Sequence, residues 1–172
     1  MTALVRLYAE IALLKRGPQD VPASWLLLVL TVAAYFAINL LVNWALPAEG
    51  DPWLAILAID IVFTLVWYSA LLSVLRRRER MLQTTTAVFG YRSVLAPLTI
   101  AAEWLIRRFG SEQAWQLPLL VGYVAIVVWM IAVNSHVLKA AIEWSMFQCV
   151  TLAILESVTG SLIVVALVPL AR

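Results

Sequence analysis

The sequence has little of what soluble enzymes and metalloproteins usually depend on. Its 172 residues include one histidine and one cysteine, and only 13% of them are charged. A single histidine cannot form a histidine cluster around a metal. A single cysteine, Cys149, gives neither an intramolecular disulfide nor a cysteine-based metal site. We therefore expect no metal and no other cofactor.

Motifs for catalysis and for phosphate binding are also missing from the sequence. It contains no HExxH, no P-loop and no GxGxxG pattern. Ser135 and His136 are adjacent, but no other residues suggest a nucleophile with its oxyanion hole. No basic face is interleaved with aromatic residues as in nucleic-acid-binding proteins. The sequence thus predicts no enzymatic activity and no nucleic-acid partner.

Apolar residues are what the sequence has in quantity. They make up 64% of the chain, and the mean hydropathy is +0.95, whereas soluble domains are roughly 45–50% apolar. A chain this apolar cannot cover its surface with polar groups, so its partner and solvent should be the lipid bilayer. We predict an all-α polytopic membrane protein with four to five transmembrane helices and an N-terminal amphipathic interfacial helix.

Residues 1–18 are predicted to be that interfacial helix. Apolar and charged side chains gather on opposite faces at helical spacing: Leu4, Leu7, Tyr8, Ile11 and Leu14 on one, Arg6, Glu10 and Arg16 on the other. The apolar face either lies in the headgroup plane or packs on the protein's own helices. The first long apolar run starts near Trp25, too deep and too long for a cleavable signal, so we expect it to remain as an anchor.

Residues 19–172 are predicted to form a transmembrane helical bundle. The spans are expected at about 25–46, 52–75, 82–106, 115–134 and 137–168. The third span, 82–106, is either kinked, since it contains Gly90 and Pro97, or re-entrant. Its length favours spanning, because about 25 helical residues reach ~37 Å. Charge favours re-entry, because Arg107 and Arg108 would then stay on the side rich in basic residues.

The distribution of charge predicts the orientation. A basic N-terminal segment and the cluster RRRER at 76–80 flank two spans that are joined by the acidic loop PAEGDP at 47–52. By the positive-inside rule the N-terminus should be cytoplasmic, in a bacterial inner membrane. The basic side chains of the cluster are expected to contact anionic lipid headgroups: Arg76, Arg77, Arg78 and Arg80.

Polar residues inside the apolar spans are the candidate functional residues, because a charge at the bilayer centre costs at least ~2.5–3.5 kcal/mol. They are Asn39, Asp60, Arg92, Glu103 and Glu156. Each could instead serve only to join helices. Asn39 is expected to bind a neighbouring helix. Arg92 lies ~18 Å of helix beyond Arg80, so we predict that it pairs with Asp60 or Glu156. Glu143 is expected to pair with Lys139 or to contact headgroups.

Two stretches resemble known membrane proteins. GPQDVPAS, before the first span, and RMLQTTTAVFG, before the third, resemble a family of small proteobacterial inner-membrane proteins for which no activity is known. The step from Gly90 to Tyr91, followed by Pro97, resembles the third segment of Yip1-type proteins, which have five spans and a cytoplasmic N-terminus. The second resemblance implies a role in membrane trafficking or complex assembly through protein contacts, without catalysis.

Two functions follow as hypotheses. The first is a non-enzymatic subunit, scaffold or assembly factor of a membrane complex, which contacts other membrane subunits or itself. It is favoured by the small size, by small-residue helix faces such as Ser157-xxx-Ser161 and by intramembrane polar groups in need of partners. The alternative is a small oligomeric transporter or channel, with a polar path along Asp60, Arg92, Glu103 and Glu156.

Overall fold

A computed structural model describes residues 2–46 and 52–168, and the described residues contain helices but no strand. The six α-helices are α1 (Thr2–Ala12), α2 (Trp25–Ala45), α3 (Trp53–Val74), α4 (Met81–Phe109), α5 (Gln113–Ile142) and α6 (Met146–Leu167). Short 3-10 turns lie at Pro18–Asp20 and Arg78–Arg80. The predicted all-α polytopic membrane fold is confirmed. The acidic loop, apart from Pro52, and Arg172 lie outside the described residues.

Four of these helices, α2, α3, α5 and α6, are long and apolar enough to cross a membrane. Their outward surfaces carry large hydrophobic side chains such as Leu26, Val62 and Leu162, each more than half exposed. So much exposed apolar surface suits a protein embedded in lipid rather than one dissolved in water. Ser24 starts α2 as an N-cap, since its hydroxyl accepts a hydrogen bond from the Leu27 amide.

Helix α4 is the central helix of the bundle and contacts α1, α2, α3 and α5. It runs parallel to α2: Leu82 and Phe89 pack near Leu28 and Tyr35 in the same order along both helices. Residues 84–91 of α4 are all buried, which explains why its sequence is less apolar than that of the lipid-facing spans.

Residues 82–106 thus belong to one continuous helix of 29 residues, about 43 Å long. The alternative in which the chain turns back inside this segment is wrong for this structure. Pro97 lies within the helix and faces outward, where its ring does not crowd the core. Helix α4 packs beside α2 but is not among the four helices that are apolar enough to cross a membrane, so the spanning of residues 82–106 stays a prediction.

Helix α1 packs on the bundle. Tyr8 and Ile11 are buried, and the Tyr8 hydroxyl lies 2.8 Å from the Thr31 hydroxyl of α2. A Cβ atom at Gly90 would overlap the Tyr8 ring, so the absence of a side chain there lets α1 approach α4 closely. Of the two alternatives for the apolar face of α1, packing against the protein's own helices is the one observed.

The boundary between the last two helices differs from the predicted one. We expected the spans 115–134 and 137–168, but α5 continues to Ile142 and α6 starts at Met146. Glu143 ends α5 in the left-handed conformation, with φ 61°. Ser145 and Gln148 then form a capping box that starts α6. His136, Lys139 and Glu143 therefore belong to the end of α5 rather than to the beginning of α6.

Candidate functional site

An open cavity of about 650 Å³ lies in one half of the bundle, between α2, α3, α4, α5 and α6. We call this half, in which α2, α4 and α6 end, the open half; the other half carries the arginine cluster and is the basic half. The polar side chains on the cavity wall include Asn39, Asn43, Asp60, Arg92, Glu103, Arg107, Glu156, Ser157 and Ser161. All five candidate residues named from the sequence thus line one cavity.

Arg92 of α4 forms the floor of the cavity together with two carboxylates. Its Nη2 lies 2.9 Å from Glu156 Oε1 on α6, and its Nη1 lies 3.3 Å from Asp60 Oδ1 on α3. Nη1 also donates to the Thr64 hydroxyl at 2.8 Å. The predicted pairing of Arg92 is therefore confirmed, and both of the carboxylates considered for it are partners.

A second layer of hydrogen bonds surrounds the two carboxylates. The Tyr35 hydroxyl of α2 donates to Asp60 Oδ2 at 3.0 Å. Behind Glu156, Asn134 of α5 donates from Nδ2 to Oε2 at 2.6 Å, and the Tyr68 hydroxyl of α3 lies 2.8 Å from the same oxygen. The site thus joins all five long helices, and each acidic group has at least two polar neighbours.

Access to the three charged groups differs. The side chain of Glu156 is 2% exposed, that of Arg92 14% and that of Asp60 34%. A solute in the cavity therefore meets Asp60 first and cannot reach Glu156 without rearrangement. Two further charged residues of α4, Glu103 and Arg107, line the wall closer to the mouth.

Asn39 departs from the prediction. Its side-chain amide donates to the Tyr35 carbonyl of its own helix at 2.8 Å, and Asn43 repeats the pattern by donating to the Asn39 carbonyl at 2.9 Å. We expected a bond to a neighbouring helix. The Tyr35 carbonyl, one turn earlier in the same helix, is a nearer acceptor. Asn39 therefore satisfies its donor within α2 and presents a polar edge to the cavity.

The arginine cluster is partly engaged in contacts within the chain. Arg77 and Arg80 bind the Glu143 carboxylate at 3.0 and 2.7 Å, and Arg80 also donates to the carbonyls of Ala140 and Ala141. The hydrogen bond from Arg80, with the positive charges of Arg80 and Arg77, lowers the pKa of Glu143. Glu143 therefore pairs with the cluster instead of Lys139. Headgroup binding by the four arginines stays a prediction.

Four side chains of the site were not named from the sequence. Tyr35, Thr64 and Tyr68 are ordinary residues of transmembrane spans, and their signal is one of spacing: Tyr35 lies four residues before Asn39, and Thr64 and Tyr68 lie four and eight residues after Asp60, on the same helix faces. Asn134 did carry a signal, as an amide in an apolar run. The predicted span ended at residue 134 and so placed Asn134 at the membrane surface, where water can bind an amide.

No protein-family model, characterised protein or solved structure matches this chain. Within the described residues, no three histidine, cysteine or acidic side chains lie together as metal ligands would. The site is a cavity with charged groups at its floor and both polar and apolar side chains on its wall. Such a floor can bind a polar group and hold a proton.

Proposed function

We propose that the protein is a small membrane carrier that admits a polar solute into the cavity of the open half. One observation carries this proposal. Asn39, Asp60, Arg92, Glu103 and Glu156, which stand far apart in the sequence, line one cavity together. Binding sites of membrane carriers are similarly built near the middle of the bilayer from polar groups on several helices.

Energetics support a carrier rather than a purely structural role for the charges. A buried ion pair loses hydration that its attraction scarcely restores, so apolar residues would join the helices at least as well. Arg92 and its two carboxylates also satisfy one another within one chain. They therefore need no partner subunit, although such a need was one of the reasons to expect a scaffold.

The accessible charge favours a small cation or a protonated amine as the solute. Asp60 is the most exposed charge of the floor, and the wall nearer the mouth carries one charge of each sign, Glu103 and Arg107. Arg92 is occupied by its own partners, so it offers little to an anion. The apolar wall residues, such as Phe63 and Leu95, exclude large hydrated solutes and leave room for a compact one.

Flux through the purified protein tests this proposal. Proteoliposomes with a monovalent cation gradient should show protein-dependent release, and Asp60→Asn should abolish most of it. Glu112→Gln, in the exposed turn between α4 and α5, is the matched control and should retain the flux. Release no faster than from protein-free liposomes for both inorganic cations and small amines would refute the carrier function.

A subunit or scaffold role is the second candidate, and one observation favours it. Nearly all of residues 113–130, the first half of α5, are exposed. A Cβ atom at Gly122 would meet no other atom within 4 Å. A helix of another membrane protein, or of a second copy, could pack there. Gly122→Trp should then weaken a complex isolated in mild detergent, whereas Leu26→Trp on the exposed face of α2 should not.

The charge pattern supports placing the protein in a bacterial inner membrane with its N-terminus in the cytoplasm. The basic half would then face the cytoplasm, and the cavity would open towards the periplasm. A solute would enter the site from outside the cell.

A further inference from the structure

Three polar groups behind Arg92 form a closed ring of short contacts. Tyr68 Oη lies 2.6 Å from Asn134 Oδ1 and 2.8 Å from Glu156 Oε2. Asn134 Nδ2 lies 2.6 Å from the same carboxyl oxygen. Each of the three contacts is as short as a full hydrogen bond. All three side chains are at least 95% buried.

Each edge of this ring needs one hydrogen, and only two are available from the neutral side chains. The Tyr68 hydroxyl has one hydrogen and can supply one of its two edges. The Asn134 amide nitrogen supplies the hydrogen for its own contact with Glu156. If Glu156 were ionised, the third edge would bring two acceptor oxygens together without a hydrogen between them. That arrangement is repulsive in a site of low dielectric constant.

The count does not depend on how the Asn134 amide is oriented. With its oxygen and nitrogen exchanged, the nitrogen supplies the edge to Tyr68, and Tyr68 supplies the edge to Glu156. The edge between Asn134 and Glu156 then lacks the hydrogen. In both orientations, a proton on Glu156 Oε2 completes the ring.

We infer that Glu156 is a proton-binding site of this protein, and that the arrangement described here is its proton-loaded state. Oε2 of Glu156 holds the proton and Oε1 accepts from Arg92. The charges then balance, because Arg92 pairs with ionised Asp60. The other polar groups facing the cluster, Tyr35, Thr64 and Tyr91, are neutral. With both carboxylates ionised, the cluster would instead carry one net negative charge, and water could not solvate it at Glu156, which is 2% exposed.

Loss of the proton has a structural consequence. One edge of the ring becomes a contact between two acceptors, so Tyr68, Asn134 or Glu156 has to move. These residues belong to α3, α5 and α6, so release of a proton from Glu156 changes at least one of the side-chain contacts that join three helices. The ligand of this site is the proton, whichever solute the cavity takes. The proton on Glu156 can therefore be detected without measuring transport.

Infrared spectroscopy of the purified protein tests the inference directly. In an ester-free detergent at neutral pH, a protonated carboxyl gives a C=O band that ionised carboxylates lack. The parent should show this band, and Glu156→Gln should remove it. Glu103→Gln, which changes another carboxyl of the same cavity, is the matched control and should keep it. Tyr68→Phe removes a group that is hydrogen-bonded to Glu156 Oε2 in either orientation of the Asn134 amide, so the band should leave its parent position.

The inference is overturned if the parent has no acid band, if a band survives Glu156→Gln, or if the band is unchanged in Tyr68→Phe. The folding of each variant is checked by the protection of the buried Cys149 thiol. If Glu156→Gln does not fold, the parent, Glu103→Gln and Tyr68→Phe decide the question. Loss of the band in Glu103→Gln would assign the proton to that residue and would also overturn the inference.

Discussion

Replacing Arg92 by leucine removes the positive charge that holds the site together. Glu156 loses the donor at 2.9 Å and Asp60 loses its ion-pair partner at 3.3 Å. Removing one partner of a buried pair costs ~3–5 kcal/mol, because the other charge stays buried without compensation. Asp60 is 34% exposed and water can partly solvate it, so we expect about 3 kcal/mol, the lower end of that range.

The single cysteine provides the assay. Cys149 is free and buried in α6, so a thiol-reactive fluorophore reports unfolding in detergent. A loss of about 3 kcal/mol should lower the melting temperature by several degrees. Adding Asp60→Asn should recover much of this loss, because it removes the carboxylate left without a partner. Adding Glu156→Gln should recover little if Glu156 already holds a proton, and as much as Asp60→Asn if it is ionised.

Two results would refute this reasoning. Arg92→Leu as stable as the parent would mean that the arginine contributes no buried ion pair. A double variant with Asp60→Asn less stable than Arg92→Leu alone would mean that Asp60 relies on partners other than Arg92. Val94→Ala, a change on the same helix away from the cluster, is the control for altered packing.

Four further predictions concern other parts of the molecule. A topology reporter fused after Glu79 should give a cytoplasmic signal and reporters near Glu49 and Glu112 periplasmic ones; a cytoplasmic signal at Glu112 would contradict the spanning of α4. Gly90→Ala should destabilise the protein because its methyl group meets the Tyr8 ring, whereas Gly122→Ala, in open space, should be neutral or favourable by up to ~1 kcal/mol. Leu7→Glu with Ile11→Glu should expose residues 1–18 to protease, and unchanged protection would show that this face does not hold α1. Arg80 and Arg77 lower the pKa of Glu143. Its contribution to stability is therefore present above the unfolded pKa of about 4.3 and is lost as the pH falls through the lower folded pKa. A Glu143→Gln variant whose stability falls with acid as much as that of the parent would contradict this.

The pairing of Arg92 was predictable because depth in a membrane can be calculated from sequence. A helix advances about 1.5 Å per residue, so positions counted from a charged boundary indicate which side chains lie at similar heights. Asp60 was proposed on such grounds and Glu156 as the deeper acidic residue of its span, and both contact Arg92. The high cost of an isolated charge in a bilayer makes a partner nearly obligatory.

The ring behind Glu156 was beyond this kind of argument. Asp60, Thr64 and Tyr68 follow one another at intervals of four residues and so share a face of α3, but the sequence does not tell which residues of the other helices that face meets. Only the packing of α3 against α5 and α6 brings Tyr68 to Asn134 and Glu156. The end of α5 was also missed, although Ser145 and Gln148 have the spacing of a capping box. Hydropathy does not reveal such a boundary, because apolar residues continue on both sides of it.

The open cavity ends at Arg92, and the polar groups beyond it suggest where a carrier would have to open. A second cavity of about 430 Å³ lies in the basic half and is lined by residues that include Arg80, Thr84 and Glu143. Thr84 is about 12 Å from Arg92 along α4. The hydroxyls of Thr84, Thr85 and Thr86 have no hydrogen-bond partner within the described residues, although an unmet buried hydroxyl costs ~1–3 kcal/mol. Helix α1 packs on α4 through the contact of Tyr8 with Gly90, so a movement of α1 or α4 would be one way to open a passage between the two cavities.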